Sequence, residues 1–381
     1  MLPARFGIYV HFPWCSFRCP YCDFAVTTAR PLPGDRYAAA VVAELRRRAP
    51  AFADRRAATL FLGGGTPSLW EPAAMARVVE EARALGLPPG AEVTLEANPE
   101  SADTARAEAW RRAGVTRVSI GVQSFDPAVL HKLGRRHGPA DAERAIREVA
   151  TVIPNVSVDL IHGGRRSSPE SARADAERIV SLPVTHVSSY ALTLDAEVLA
   201  EDVPFARLAR QGKLLFPEED EVLAQGRAVA EVLSAAGFRR YEISNFARPG
   251  FESRHNLLYW RSEDYLGVGA GAVGCVRGDG GAVRWTNHRE VGPWLAAVDA
   301  GELPGASEER LGPSELANER IMLSLRTAEG LDAAVLGPER NAEVQALVRA
   351  GLAEVDGGRL RLTAAGMDVH SAVAERLFEA G

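Results

Sequence analysis

The sequence predicts an α/β fold: an open, partial (β/α)6 TIM-like barrel with an appended layer and a small C-terminal winged-helix-like domain. Three observations predict it. Between residues 6 and 192, six short runs rich in valine, isoleucine and leucine alternate with longer segments of helical period, the pattern of parallel strands joined by crossover helices. Six strands fall short of the eight that close a full barrel, which leaves it open. After Thr193 the alternation loosens, and from Pro313 onward helical segments give way to a hairpin signal.

Taken in order, residues 6–12 form the first strand and 35–49 the first helix, with Asp35 as its N-cap and Tyr37, Val41 and Leu45 as its apolar stripe. Residues 58–62 and 72–85 are the second pair. Strand 92–97 precedes a helix from Ser101, strand 117–122 a helix from Pro139, and strand 156–161 a helix from Pro169; strand 186–192 ends the series. A helix over 219–236 leads to segments 241–247 and 254–260 and to a glycine-rich run over 267–281, read as a layer over the barrel. Helices at 314–325 and 341–350, a hairpin over 352–362 turning on Asp356-Gly357-Gly358, and a helix from Thr363 complete the chain. The expected division is 1–240 for the barrel, 241–312 for the appended segment and 313–381 for the C-terminal domain.

A chain of 381 residues exceeds what one core usually spans, so a large domain with a smaller one is expected. Its 46% hydrophobic and 25% charged residues are ordinary globular values, and such a chain folds without a partner. The net charge is −6, the two signs are interleaved, and Lys132 and Lys213 are the only lysines, which argues against nucleic acid as a partner. Glu339, Glu343, Glu354 and Asp356 likewise deny the C-terminal unit a basic face. No apolar run approaches the ~18 residues of a membrane span, and the N-terminus shows no cleavable apolar core. A cytoplasmic protein is expected, transient contact with a membrane surface being compatible with it. Three of the four cysteines share one loop, which speaks for a reducing compartment and against a disulfide scaffold; Cys275 reads as a packed core thiol.

That loop, Tyr-Val-His-Phe-Pro-Trp-Cys15-Ser-Phe-Arg-Cys19-Pro-Tyr-Cys22-Asp-Phe, starts at Tyr9 and concentrates soft ligands. Structural zinc wants four protein ligands, commonly in two separated pairs, whereas a four-iron cluster held by three cysteines keeps one iron open to an exogenous ligand. A zinc site completed by His11, three unrelated buried thiols, and a cluster used only for electron transfer are the competing readings. Cys-x-x-x-Cys-x-x-Cys directly after a strand resembles the radical S-adenosylmethionine (SAM) superfamily. The resemblance implies a [4Fe-4S] cluster on Cys15, Cys19 and Cys22, whose open iron is chelated by SAM and which cleaves SAM to a 5′-deoxyadenosyl radical. Gly63-Gly64-Gly65-Thr66-Pro67 follows the second strand and is similar to the superfamily's Gly-Gly-x-Thr-Pro signature, glycine allowing a backbone to come close against a ligand.

Glu96 and Gln123 end the third and fourth strands, Arg135 follows, and Asp159 lies within the fifth. This order resembles one branch of the superfamily, which contains the oxygen-independent coproporphyrinogen dehydrogenase HemN and the heme chaperone HemW. The resemblance implies that Tyr9, Gly64, Glu96 and Ala191 contact the cluster-bound SAM. It also places Tyr21, Gly65, Thr66, Gln123, Arg135 and Asp159 where HemN holds a second SAM. The loop from Asp159 to Arg166 departs from the branch's usual Asp-Leu-x-Tyr-Gly-Leu-Pro-x-Gln. Two features bring the chain nearer the HemW side: Phe24 stands where HemN has a fourth cysteine, and eight residues precede Tyr9 where HemN has an extended arm. The segment Arg254-His-Asn-Leu-Leu-Tyr-Trp260 matches the His-Asn-x-x-Tyr-Trp motif of HemW proteins and implies heme at His255, Asn256, Tyr259 and Trp260. Imidazole is a common axial donor to heme iron, and Tyr and Trp offer flat apolar faces. The expectation is therefore a heme chaperone that hands heme to an acceptor protein. Its enzymatic alternative is a radical decarboxylase of coproporphyrinogen III.

Overall fold

The computed structural model of the chain describes residues 4–192, 203–214, 217–278 and 280–378. Strands β1 (Arg5–Phe12), β2 (Arg56–Gly64), β3 (Glu92–Ala97), β4 (Arg117–Gln123), β5 (Val156–His162) and β6 (His186–Ala191) lie side by side in chain order, every neighbouring pair parallel. The helices Gly34–Arg48, Pro72–Ala84, Thr104–Arg112, Pro139–Ala150 and Pro169–Val180 are the crossovers. Along each strand alternate residues face opposite ways. Ile8, Val10, Phe12, Leu60, Leu62, Leu95, Ile120 and Val158 are fully buried in one continuous core with the crossover helices. The positions between them carry the polar groups, among them His11, Thr59, Glu96, Arg117, Ser119, Asp159 and Ser188, and it is these that give the barrel its chemistry.

Local ends differ from expectation for identifiable reasons. Asp35 lies in the first turn of its helix, not at the cap, which falls on Pro33; there it suits the positive end of the helix and pairs with Arg77 at 2.5 Å. The helix expected from Ser101 begins at Thr104 because the Asp103 side chain accepts the Arg106 N–H, leaving Pro99–Ser101 as a separate 3-10 turn.

Residues beyond the barrel extend its sheet at both edges. Strands β7 (Arg239–Arg240) and β8 (Asn245–Ala247) continue it antiparallel past β6. On the other edge β9 (Asp264–Val268) pairs parallel with β1, followed antiparallel by β10 (Val273–Gly278), β11 (Gly281–Asn287) and β12 (Gly305–Leu311). The glycine-rich run is thus strand, turn and strand. At Gly267 and Gly274 a side chain would collide with the Val273 carbonyl and the Trp285 ring. The C-terminal unit packs helices Pro313–Leu325 and Asn341–Arg349 on a small sheet of β13 (Leu331–Asp332), β14 (Ala353–Asp356) and β15 (Arg359–Leu362), around a separate core that includes Leu325, Leu347 and Leu360. Its hairpin turns on Gly357 (φ 56) and Gly358 (φ 76), the positive pair that a two-residue turn requires. No helix among the described residues is long and apolar enough to cross a membrane.

Candidate functional site: a cysteine loop over the barrel mouth

The loop after β1 folds back on itself: Thr27 N–H donates to the Pro13 carbonyl at 2.8 Å and Cys15 N–H to the Thr27 carbonyl at 2.9 Å. This hangs Cys15, Cys19 and Cys22 over the carboxyl ends of the barrel strands, where all three line a cavity of about 530 Å³. Tyr21, Gly64, Gly65, Thr66, Glu96, Gln123, Arg135, Asp159 and Ala191 line the same cavity. Of the residues expected at SAM, Tyr9 alone is not on its wall; it is buried beneath, its hydroxyl 3.0 Å from His11 Nδ1.

The glycines at the end of β2 serve the loop first. Gly65 donates its N–H to the Phe12 carbonyl at 2.7 Å, and a Cβ there would stand 2.8 Å from the Trp14 carbonyl oxygen. Gly64 has φ 108, and its N–H donates to Glu96 Oε2 at 2.9 Å. The close approach expected toward a ligand is therefore used in part by the protein's own cysteine loop. Thr66 Oγ1 donates to Cys15 Sγ at 3.5 Å, and Asn98 Nδ2 donates to Thr66 Oγ1 at 3.1 Å. Arg135 reaches over to Cys19 Sγ at 3.5 Å while its other amine holds Asn98 Oδ1 at 2.6 Å and the Gly121 carbonyl at 2.9 Å. Each outer sulfur-facing donor is thereby oriented by a second hydrogen bond.

The donor set fits an iron-sulfur cluster better than a single zinc ion. His11, the fourth zinc ligand the sequence offered, has Nε2 donating to the Ala25 carbonyl at 2.8 Å, and burial lowers its pKa to about 4. Among the described residues no three His, Cys, Asp or Glu side chains converge on one ion position. A cube capped at three corners asks for sulfurs spaced more widely than one ion does. Burial raises the Cys15 thiol and pushes Cys22 up to about 11, so a metal must displace those protons to bind. Below the sulfurs two carboxyl groups share the chamber. Burial, then the nearby Asp159 charge, pushes Glu96 up to about 8; burial also raises Asp159, against the Ser188 and Ser119 hydroxyls that stabilise its charge.

The motif at 254–260 forms a short helix, Arg254–Trp260, that plugs the barrel from the amino ends of the strands. Glu92, the first residue of β3, accepts the backbone N–H groups of Arg254 (3.1 Å) and His255 (2.9 Å), a carboxylate at a helix N-terminus. The arrangement is not an open porphyrin platform. His255 is 1% exposed, its Nδ1 is 2.7 Å from Thr59 Oγ1 and its Nε2 2.9 Å from Tyr259 Oη. Burial lowers its pKa to about 3. Tyr259 packs edge-on against Tyr265, and Trp260 lies under the Arg326 guanidinium at 4.3 Å. Asn256 alone of the four reaches the cavity and forms its floor.

Sequence reasoning did not single out Arg117, Phe61, Asn98 or Tyr190, all of which line the cavity. The signal that could have found Arg117 is strand periodicity, since Arg117, Ser119, Gly121 and Gln123 occupy every second position of β4 and all face the cavity.

Comparison with known proteins agrees with this geometry. The radical SAM superfamily matches residues 9–179, and the HemN C-terminal domain matches residues 311–369. The heme chaperone HemW of Mycobacterium tuberculosis (strain H37Rv) is 38% identical over 98% of this chain and 95% of its own length. The heme chaperone HemW of Escherichia coli K12 is 38% identical over 74% of each chain. The mouse mitochondrial radical S-adenosyl methionine domain-containing protein 1 is 39% identical over 86% of this chain and 74% of its own. Among solved structures, E. coli coproporphyrinogen III oxidase (HemN) superposes with a TM-score of 0.81 at 22% identity, over 99% of this chain and 90% of that one. With its cysteine loop over a partial barrel and its near-complete match to these relatives, the chain belongs to the HemW family within the radical SAM superfamily.

Proposed function

We propose that the chain is a heme chaperone of the HemW type, which holds a [4Fe-4S] cluster and SAM at the barrel mouth, takes up heme and passes it to an acceptor protein. The observation that carries this reading is the mouth itself. Three sulfurs open onto a cavity, and two residues past Cys22 stands not a further thiol but Phe24, 61% exposed. Phe24 and Tyr190, the large apolar side chains exposed there, give a flat porphyrin a surface to lie on. The names of the relatives support heme as the cargo.

Cys15, Cys19 and Cys22 would hold the cluster, and the Thr66 and Arg135 hydrogen bonds to sulfur would tune its potential. When bound, the cluster supplies an electron to the sulfonium of SAM. Gly64 and Ala191 would offer backbone to SAM; Glu96 and Asp159 would meet its amine or ribose hydroxyls, and Gln123 and Tyr21 would close the sides. At neutral pH Glu96 holds a proton and can donate as well as accept. Tyr9 would act from beneath, by fixing His11. Ligation of heme iron by His255 would require Thr59 and Tyr259 to release the ring. The four free cysteines suit a reducing compartment, and we place the protein in the cytoplasm.

The test is an anaerobic titration of cluster-reconstituted protein with hemin, followed by incubation with coproporphyrinogen III, SAM and a reductant. Saturable binding with a Soret band and no decarboxylation is the expected result. Absence of saturable hemin binding, or conversion to protoporphyrinogen IX, would overturn the reading, the latter in favour of the decarboxylase.

A further inference from the structure

Two arginines are buried among the described residues, Arg48 and Arg117, and their surroundings differ. Arg48 is paired: its Nε donates to Glu44 at 2.9 Å and its Nη2 to Asn287 at 2.9 Å, with the guanidinium over the Trp285 ring. Arg117 is 2% exposed, and its Nε is buried without a hydrogen-bond partner. It forms no ion pair and no side-chain hydrogen bond among the described residues. An arginine does not escape this by losing its proton, and a buried charge without a counter-charge is costly unless something pairs with it.

The position says where that partner would come from. Arg117 heads β4 on the face that lines the cavity, at the floor end, where its charge bears on the His186 and His255 rings and helps lower both. Its charge also bears on Glu96 and Asp159 and works to lower both, but neither carboxyl lies within ion-pairing or hydrogen-bonding distance of the guanidinium, and Asp159 accepts the Ser119 hydroxyl at 3.1 Å. Asn256, whose side-chain amide makes no hydrogen bond among the described residues, rises from the plug helix into the same floor. Phe61 adds an apolar wall.

We infer that the floor of the cavity is an anion subsite, in which the guanidinium of Arg117 and the amide of Asn256 bind a carboxylate carried by the ligand. A planar guanidinium matches a carboxylate with two parallel N–H donors, and the surrounding low dielectric strengthens both. Heme bears that group on its propionates, whereas the carboxylate of a cluster-bound SAM is taken up by the open iron at the mouth, the opposite end of the barrel from Arg117. Naming heme rests on the chaperone reading; the subsite itself rests on Arg117.

The test compares wild type, Arg117→Gln and Arg117→Lys as cluster-reconstituted proteins. Dissociation constants are measured for hemin against hemin dimethyl ester, with SAM as a control whose affinity the three proteins should share. Wild type is expected to prefer hemin, and Arg117→Gln to shrink that preference by roughly 10- to 100-fold, with Arg117→Lys intermediate. Ligand-free Arg117→Gln is expected to melt no lower than wild type, because no group among the described residues touches the guanidinium it removes. A hemin preference unchanged by Arg117→Gln, or a ligand-free variant that melts well below wild type, would overturn the subsite. Failure of wild type to bind hemin would sink the chaperone reading; succinate that still raises the melting temperature of wild type but not of Arg117→Gln would leave the subsite standing, and succinate without that difference would overturn it.

Discussion

Glu96, half-buried on the cavity wall, and His255, buried beneath it, share one barrel, and loss of water around them has neutralised both from opposite directions, the acid raised to about 8 and the imidazole lowered to about 3. The consequence for Glu96 has a definite sign. Between its ordinary value of 4.5 and about 8 the folded chain keeps a proton that the unfolded chain has released, so stability falls as pH rises through that window. Glu96→Gln keeps an oxygen for the Gly64 N–H and removes the titration. Relative to wild type, its melting temperature is expected to gain steadily from about pH 5 to about pH 8.5, measured without ligand. Parallel curves would show that Glu96 is ionised throughout. His255 is neutral over the same range and holds two hydroxyls, Thr59 and Tyr259. Truncation to alanine strands both and empties the space beside Gly7, where a Cβ would lie 2.9 Å from the ring. His255→Ala should therefore lose about 2–4 kcal/mol of stability while leaving the Soret position at saturating hemin unchanged. A shifted Soret with stability intact would instead make the imidazole an iron ligand.

Among the elements, the cysteine loop and the turn after β2 are built as one piece. Gly65 meets the Phe12 and Trp14 carbonyls, which belong to backbone and cannot swing aside as a side chain could. Gly65→Ala is expected to cost about 1–3 kcal/mol and to lower the iron bound per chain after anaerobic reconstitution. Full iron content in a destabilised variant would separate the loop from the turn. The sequence reveals this arrangement in part. The six barrel strands are legible because β-branched runs alternate with helical period, and the cysteine, glycine and acidic positions are legible because each closes one of those runs. Strand β9 is not, since the run from Gly267 draws its glycines from tight strand packing, which resembles a loop in composition. Arg117 escapes notice because an arginine at the start of a strand reads as a solvated charge until the barrel closes around it. The motif at 254–260 is legible as a motif, but which of its side chains face the cavity depends on how the helix sits on Glu92, a contact 162 residues away along the chain.

At the scale of the whole molecule, several arginines tie the C-terminal unit to the rest of the chain, and Arg326 is the one among them whose carboxylate partner is fully buried. Arg326 Nε donates to Glu242 Oε2 at 2.8 Å, its guanidinium covers the Trp260 ring, and its carbonyl accepts the Ile243 N–H at 3.1 Å. Two residues on, the Ala328 N–H reaches the Tyr241 carbonyl at 2.9 Å, and Tyr241 in turn places its hydroxyl 2.8 Å from His186 Nε2 inside the barrel. The plug helix, the sheet edge and the C-terminal unit thus meet at Arg326. Glu242 is fully buried, whereas Arg326 remains 24% exposed, so losing the cation strands the carboxylate while losing both does not. Arg326→Met is expected to destabilise by about 3 kcal/mol and to expose the chain around Gly312, the single residue between β12 and the Pro313–Leu325 helix, to limited proteolysis. Glu242→Gln combined with Arg326→Met should recover most of that loss, because the amide can still accept the Ser244 N–H that the carboxylate now accepts at 2.9 Å. Denaturant melts followed by tryptophan fluorescence, which samples Trp260 at the junction, would measure both. Additive losses in the double variant would mean that the two residues act independently and that the backbone bridge and the ion pairs of Asp368, Glu329 and Glu319 join the unit to the barrel without them.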